Sequence, residues 1–252
     1  MIGIITSPSI KSKLQCETSY LYMSYIHWVE MSGETAVIIP YNTKKDKLIE
    51  LLQRINGVIW VGGSIENKKM HTKKQEEDLF KTLFTTYQYA ISENNKGNYY
   101  PIWATCLGMY ILVMFVKELD TITETIQPFN KHDLSICTFT HIPSRLKTWF
   151  SAHIRLQMKK QACLLHNHNY GITSVPEDKV RVVSLQDNHI NMLEFIHYPF
   201  YGVHFHPEQP QTEFAINVSN QFISFFTNEC RKNKNKWKWT LSDFEKKSIK
   251  LI

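Results

Sequence analysis

The sequence predicts an α/β protein, a three-layer sandwich in which helices cover both faces of a mostly parallel central sheet. Short apolar segments alternate with longer segments whose apolar residues recur every three or four positions, and glycine or turn residues stand between them. In addition, 252 residues with 43% hydrophobic content are enough to bury a large core. We therefore expect a single domain over residues 1–252, with a basic tail at residues 231–252.

Strands and helices alternate regularly over the first half of the chain. Strands are predicted from apolar runs, and helices from apolar residues that share one face. The predicted strands are 2–6, 36–40, 57–61 and 100–104, and the predicted helices are 19–32, 45–55, 73–93 and 107–116. A strand that follows a helix in this order pairs with its predecessor in parallel, which is why a parallel sheet is expected.

The pattern weakens from about residue 120, and we expect the sheet to become mixed there. The segments with strand character are short, at 135–140, 162–165, 180–185, 192–196 and 201–205. One long helix with an apolar face is predicted over residues 213–230. No linker marks a second domain.

The cysteines, the N-terminus and the lack of long apolar runs indicate the cellular compartment in which we expect the protein. Five cysteines without a CxxC pair predict free thiols in a reducing environment. The N-terminus shows no secretory signal, so the chain as it stands predicts a cytoplasmic protein or a start from which a leader was removed. No apolar run approaches the roughly 20 residues that span a bilayer, so we expect a soluble protein without membrane association.

The formal net charge of +6 lies in the tail. Residues 231–252 contain eight basic and two acidic residues, a difference of +6, whereas the rest of the chain contains 21 of each. The folded body therefore needs no basic face. We expect a solvated tail and no nucleic-acid partner.

Cys106 is the candidate nucleophile. It stands between a predicted strand and a predicted helix, with the small residues Ala104 two positions before it and Gly108 two positions after it, as in a nucleophile elbow. The partial positive charge at the start of a helix favours a thiolate there. The backbone N–H of Leu107 and the Gly62-Gly63 loop are predicted to stabilise an oxyanion. The alternative is that Cys106 is a small residue of the core.

A second segment supplies the groups that a thiol nucleophile needs. His206 follows a predicted strand, and Glu208 comes two positions later. A histidine can take the proton of the thiol and return it to a leaving amine, and a carboxylate can hold the ring in the required tautomer. We predict that Cys106, His206 and Glu208 form a catalytic triad.

Metal binding is the rival interpretation of the histidines. His166 with His168, and His204 with His206, could each present two imidazoles on one face of a strand. No carboxylate or cysteine cluster completes a set of ligands, and the triad already uses His206. We therefore predict no metal and no other cofactor, and we expect His204 to be a surface or packed histidine.

Two segments make the chain resemble the γ-glutamyl hydrolases. They are residues 100–108, with the sequence YPIWATCLG, and residues 198–208, with the sequence YPFYGVHFHPE. The likeness runs over nearly the whole chain and includes residues 55–58, 62–64 and 228–233. It implies the flavodoxin-like sandwich of the class I glutamine amidotransferase superfamily, which agrees with the predicted fold.

The resemblance implies cleavage of γ-glutamyl bonds in folylpoly-γ-glutamates, through a thioester on Cys106 with His206 as base and Glu208 as its orienting partner. Gly63 and Leu107 are the implied oxyanion donors. The implied partner is thus a small molecule, and the resemblance also suggests a homodimer. Members of this family are commonly secreted, lysosomal or vacuolar.

Two further residues match positions that the family places near its substrate. His168 matches an active-site histidine, and Tyr25 matches a tyrosine close to the bound substrate, although a packed core tyrosine is the alternative for Tyr25. The family usually has glycine where Ala104 stands, and glutamine and tryptophan where His204 and Phe205 stand. Alanine is still small, so we expect Cys106 to keep the tight turn of a nucleophile elbow.

Two other functions compete with γ-glutamyl hydrolysis. One is a glutaminase subunit that passes ammonia to a synthetase, which is disfavoured because no synthetase domain is fused to the chain. The other is a folate or γ-glutamyl binding protein without catalysis. It is disfavoured because all three triad residues are present.

Overall fold

The computed structural model of the protein describes residues 1–8, 19–63 and 72–237. Cys16, Ser64 and residues 238–252 of the basic tail lie outside the described residues. The strands are β1 (Ile2–Ile5), β2 (Ser7–Pro8), β3 (Ser19–Tyr20), β4 (Ala36–Ile39), β5 (Val58–Trp60), β6 (Ile102–Thr105), β7 (Gln127–Lys131), β8 (Leu134–Ser135), β9 (Thr138–Phe139), β10 (Leu164–Leu165), β11 (His168–Gly171), β12 (Val180–Gln186), β13 (His189–Phe195) and β14 (Phe200–Val203). The helices are α1 (Met23–Glu30), α2 (Lys45–Leu52), α3 (Lys73–Asn95), α4 (Leu107–Val116), α5 (Arg145–Trp149), α6 (Ala152–Met158) and α7 (Glu213–Cys230), with a 3-10 helix at Ile122–Glu124.

The central sheet has eight strands in the order β4-β1-β5-β6-β14-β13-β12-β9. The five strands from β4 to β14 pair in parallel, and the last three are antiparallel. β12 and β13 form a hairpin whose two turn residues, Asp187 and Asn188, both have positive φ. That conformation matches the twist of a hairpin. The predicted change from parallel to mixed sheet is therefore confirmed.

Helices pack on both faces of the sheet because successive side chains of each strand point to opposite sides. Ile5 of β1 belongs to a core shared with α2, α3 and α4. Ile2 and Ile4 belong to a second core shared with α1 and α7. The three-layer sandwich predicted from the sequence is thus the observed architecture.

Helix α1 begins later than predicted. The sequence predicts a helix from residue 19, but Ser19 and Tyr20 form β3 and pair with Pro8 and Ser7 of β2. The helix starts at Met23. The prediction was wrong over these first residues because a pairing with a distant segment competes with the local helical pattern. Helices α4 and α7 begin and end at the predicted residues.

The elements that were not predicted include two helices and two strands beyond residue 120. Helices α5 and α6 are short, and each is capped by a serine, since Ser144 Oγ accepts from Lys147 N and Ser151 Oγ accepts from Ile154 N. Strands β7 and β11 pair with each other outside the central sheet. Both are polar, so neither shows the apolar run on which strand prediction depends.

No helix among the described residues combines the length and apolarity needed to cross a membrane.

Candidate active site

The site lies where three neighbouring parallel strands end. β5, β6 and β14 are adjacent in the sheet and run in the same direction. Their carboxyl ends therefore bring together the Gly62-Gly63 loop, Cys106 and the segment that contains His206. Ligand sites of open α/β sheets lie at this edge.

Cys106 occupies a tight turn between β6 and α4. Its backbone has φ 48° and ψ −106°, which is unusual for a residue other than glycine and is typical of a nucleophile elbow. Its N–H donates to the carbonyl of Val203 at 2.8 Å, which fixes the turn to β14. A Cβ at Gly108 would lie 2.7 Å from the carbonyl oxygen of Trp60, so only glycine allows the helix to pack this closely.

His206 lies between Cys106 and Glu208. Its Nδ1 is 2.8 Å from Oε1 of Glu208, whose side chain is fully buried. Because Nδ1 faces Glu208, Nε2 is the ring nitrogen that can take the proton of Cys106. Burial by itself lowers the pKa of His206, but the charge of Glu208 and the interactions with Cys106 and Glu208 outweigh it. The pKa of His206 is raised well above its ordinary value, which favours the imidazolium form.

The Gly62-Gly63 loop packs directly against this row of side chains. A Cβ at Gly62 would lie 2.7 Å from Cε1 of His206 and 3.4 Å from Cβ of Cys106. A Cβ at Gly63 would lie 3.0 Å from Cδ2 of Leu107, so the two predicted oxyanion residues are neighbours. Leu107 is the first residue of α4, where backbone N–H groups have no partner within the helix.

Tyr25 reaches the same loop from α1. Its hydroxyl accepts a hydrogen bond of 2.8 Å from the N–H of Gly62, so that amide is already engaged. Burial and the negative charge of Glu208 raise the pKa of Tyr25 well above its ordinary value. The ring is almost fully buried, yet it forms part of the wall of the cleft. Tyr25 is thus both a packed tyrosine and a neighbour of the triad.

His168 comes from β11 and also faces the cleft. Its Nδ1 is 3.2 Å from the carbonyl oxygen of Phe129, and its Nε2 is 2.9 Å from Nδ1 of His166. Burial lowers its pKa to about 4. Both ring nitrogens therefore have partners within the protein, and His168 contributes mainly the surface of its ring.

A cleft of about 970 Å³ opens over the elbow. Six of the seven predicted site residues line it, and Glu208 lies behind His206. The lining also contains polar and aromatic residues that the sequence did not single out, among them Tyr20, Tyr22, Lys73, Tyr110, His132 and Asn167. They come from separate parts of the chain without a shared motif, so no local signal could have found them.

The four histidines considered as metal ligands do not form one cluster. His206 joins the triad, whereas His166, His168 and His204 form a buried cluster of their own. His204 is fully buried, so of the two expected roles it has the packed one.

The fold and the row of Cys106, His206 and Glu208 define a three-layer α/β protein that carries the groups of a cysteine hydrolase at the carboxyl edge of its sheet. A model of the peptidase C26 family matches residues 1–208, and the chain belongs to that family.

Relatives of known name agree with this assignment. The chain is 29% identical to γ-glutamyl hydrolase B of Dictyostelium discoideum over 94% of its own length and 74% of that protein. It is 27% identical to the human γ-glutamyl hydrolase over 87% of its own length and 73% of that protein. The predicted family and the predicted hydrolase class are thereby confirmed.

A solved structure supports the fold. A protein of Thermoplasma acidophilum, assigned as one of the subunits of a GMP synthase, superposes with a TM-score of 0.53, over 92% of this chain and 98% of that chain. The two sequences are only 16% identical, so this likeness concerns the fold alone.

Proposed function

We propose that the protein hydrolyses γ-glutamyl bonds, with folylpoly-γ-glutamates as substrates, through a γ-glutamyl thioester on Cys106. The proposal rests on one observation. Cys106 stands in a nucleophile elbow beside His206, whose ring is held by the buried carboxylate of Glu208, at the base of a cleft. The names of the relatives supply the bond type.

In the first half of the reaction, the thiolate of Cys106 attacks the γ-carbonyl carbon and a C–S bond forms. The negative charge that develops on the carbonyl oxygen is stabilised by the N–H groups of Gly63 and Leu107. When the intermediate collapses, the C–N bond breaks and His206 gives the proton on Nε2 to the leaving amine. Glutamate or a γ-glutamyl peptide leaves with the new amino group, and the acyl part of the substrate stays on sulfur as a thioester.

In the second half, water replaces the leaving amine. Neutral His206 takes a proton from the water, and the resulting hydroxide attacks the thioester carbon. The C–S bond breaks, the free γ-carboxyl product leaves, and the thiolate and imidazolium are restored. Glu208 keeps Nδ1 protonated throughout because it accepts the hydrogen bond from that atom.

The wall of the cleft offers surfaces for the rest of the substrate. Tyr20 and Tyr22 are both well exposed, and their ring centroids lie 4.8 Å apart in an edge-to-face arrangement. Exposed tyrosine rings provide apolar area for an aromatic group such as a pterin. Lys73, also in the lining, offers a cation for a carboxylate of the glutamyl chain.

The test is product analysis with a pteroyl-poly-γ-glutamate, comparing the wild type with Cys106→Ala and Cys163→Ala. Cys163 is a buried free cysteine outside the cleft lining and serves as the matched control. We expect the wild type and Cys163→Ala to shorten the substrate, and Cys106→Ala to lose activity by more than about 10³-fold.

Glutamine is assayed in parallel. Ammonia release from glutamine without folate cleavage would replace the proposal with a glutaminase subunit. Stoichiometric binding of the folate without turnover would replace it with a binding protein.

A further inference from the structure

Three buried histidines lie together next to the cleft. His168 is the first residue of β11, His166 stands two positions before it, and His204 follows β14. One ring nitrogen of each lies within 4.8 Å of the others. We propose that His166, His168 and His204 form a binding site for a divalent transition-metal ion of the zinc type. This proposal departs from the sequence analysis, which assigned no histidine to a metal.

The tautomer of His168 places a lone pair on Nε2, which at present accepts a hydrogen bond from His166, and a metal ion would replace that hydrogen bond. The carbonyl oxygen of Phe129, 3.2 Å from Nδ1, can only accept a hydrogen bond, so Nδ1 carries the proton. Nε2 therefore presents a lone pair. Histidines that bind metals typically donate their other N–H to a carbonyl or carboxylate in this way.

His204 shows the same arrangement. Its Nε2 is 2.5 Å from the hydroxyl of Tyr110, and that hydroxyl donates its hydrogen to the carbonyl of Tyr170 at 2.7 Å. The hydroxyl oxygen must then accept from Nε2–H of His204, which leaves a lone pair on Nδ1. Among the described residues, Nδ1 has no hydrogen-bond partner although His204 is fully buried.

His166 has an unpaired nitrogen as well. Its Nδ1 faces the lone pair of His168 at 2.9 Å, so Nδ1 carries the proton and Nε2 does not. Nε2 is buried and has no hydrogen-bond partner within the described part of the chain. Two buried lone pairs without partners are costly in a folded protein, and a bound cation would satisfy such groups.

Binding of an ion requires the rings to move. The hydrogen bond between His166 and His168 has to be exchanged for bonds to the metal. The rings of His168 and His204, which stack with centroids 3.5 Å apart and planes at 20°, have to tilt toward a common ion. The ring planes of His166 and His204 are perpendicular, so the two rings can approach one ion from different directions.

One ammonium group, that of Lys131, acts on the cluster. The nearby ammonium group of Lys131 is paired with Asp133 at 3.0 Å, which reduces its repulsion of a cation.

Occupation of the site would affect the proposed hydrolase, and this consequence rests on the proposed function. The ion would hold His168 in the wall of the cleft. It would also add positive charge next to the triad, since His204 stands two positions before His206. We therefore expect inhibition by the metal, whereas metal binding itself does not depend on catalysis.

The test is a titration with Zn²⁺ by calorimetry and with Co²⁺ by visible absorption. The full chain carries Cys106→Ala, so that the nucleophile cannot compete as a ligand. We expect one ion per chain and the absorption of tetrahedral Co²⁺. His204→Gln and His166→Gln should each weaken binding at least about tenfold, whereas His153→Gln, at an exposed position on α6, should not.

Circular dichroism and thermal unfolding of each variant show whether it is folded, and the two single variants provide independent tests. Equal affinity in all variants, or no saturation by Zn²⁺, would overturn the site. An active hydrolase that binds no zinc overturns only the metal site. A protein that binds zinc through these histidines but cleaves no γ-glutamyl bond supports the metal site and overturns only the hydrolase.

Discussion

At the scale of single residues, the protonation of His206 depends chiefly on one carboxylate. The buried ring keeps its proton because Glu208 and Cys106 face its two nitrogens. A histidine whose pKa is raised in the folded state stabilises the fold below its ordinary pKa of about 6.5, and this stabilisation is lost as the pH rises through the folded value. Because the proposed mechanism needs the imidazolium form of His206, kcat/KM should fall over the same alkaline pH range.

Glu208→Gln is expected to move the alkaline limb of the kcat/KM profile to lower pH by at least about one unit. The amide keeps a hydrogen-bond acceptor for Nδ1 but removes the negative charge that raises the pKa of His206. The measurement is kcat/KM for a γ-glutamyl substrate over pH 5–10. Glu213→Gln, at an exposed position in the first turn of α7, is the charge-matched control. An unchanged alkaline limb in Glu208→Gln would show that the carboxylate does not set this pKa.

Gly62→Ala is expected to lower kcat/KM by about 100-fold or more with little loss of stability. The added methyl group would stand 2.7 Å from Cε1 of His206 and would push the ring out of line with Cys106. Gly97→Ala is the contrasting variant, because that glycine has φ +79° and open space around it. It should cost about 1 kcal/mol of unfolding free energy and leave kcat/KM unchanged. Equal kcat/KM in the two variants would contradict the proposed placement of His206.

At the scale of secondary-structure elements, turn conformation determines how β12 and β13 pair. Asp187 and Asn188 join them with φ values of 48° and 64°, and the resulting hairpin carries the outer part of the sheet. β13 in turn pairs with β14, the strand that leads to His206. The turn itself is remote from the triad. Substitutions in the turn should therefore change the free energy of unfolding and leave kcat/KM unchanged.

Substitutions at Asn188 test this separation. Asn188→Ala should reduce the free energy of unfolding by about 1 kcal/mol, because alanine disfavours positive φ. Asn188→Gly should be as stable as the wild type or slightly more so, since glycine is favoured in this turn. Urea unfolding gives the stabilities, and kcat/KM should be unchanged in both. Equal destabilisation by both variants would indicate that the side chain of Asn188, rather than its backbone, is what matters.

At the scale of the whole molecule, a buried carboxylate joins four parts of the fold. Glu229 of α7 accepts a hydrogen bond of 2.7 Å from the hydroxyl of Tyr201 in β14 and another from Tyr99. It also pairs with Lys232 and lies 3.9 Å from Nη1 of Arg145 at the start of α5. Burial raises the pKa of Glu229, but the hydrogen bonds from Lys232 and the two tyrosines outweigh it, so its net pKa is lowered.

Glu229→Gln should reduce the free energy of unfolding at pH 7 by about 2 kcal/mol, because the two tyrosines and Lys232 lose hydrogen bonds to a charged acceptor. A carboxyl whose folded pKa is lowered contributes stability above its unfolded pKa, near 4.3, and loses it as the pH falls. The difference between variant and wild type should therefore shrink below about pH 4. Urea unfolding at pH 7 and at pH 3.5 measures both values. A difference that stays constant with pH would show that Glu229 is uncharged in the native state.

Much of this architecture follows from local patterns. Alternation of apolar runs with amphipathic helices predicts the parallel half of the sheet, and α4 and α7 were predicted at their observed bounds. The elbow around Cys106 and the spacing of His206 and Glu208 are also local, so both motifs could be recognised before the fold was known. Short polar strands such as β7 and β11 have no such pattern, because only their partners give them strand structure.

The sequence by itself therefore determined the class of fold and identified Cys106, His206 and Glu208 as the candidate triad, since each depends on residue type at short spacing. Only the tertiary structure decided that the hydroxyl of Tyr25 accepts a hydrogen bond from the Gly62 amide. It also decided that the side chain of His204 packs with His166 and His168 and not with His206. These contacts join segments up to 38 positions apart in the chain, from 166 to 204 or from 25 to 62, and they form only when strand order and helix packing bring those segments together.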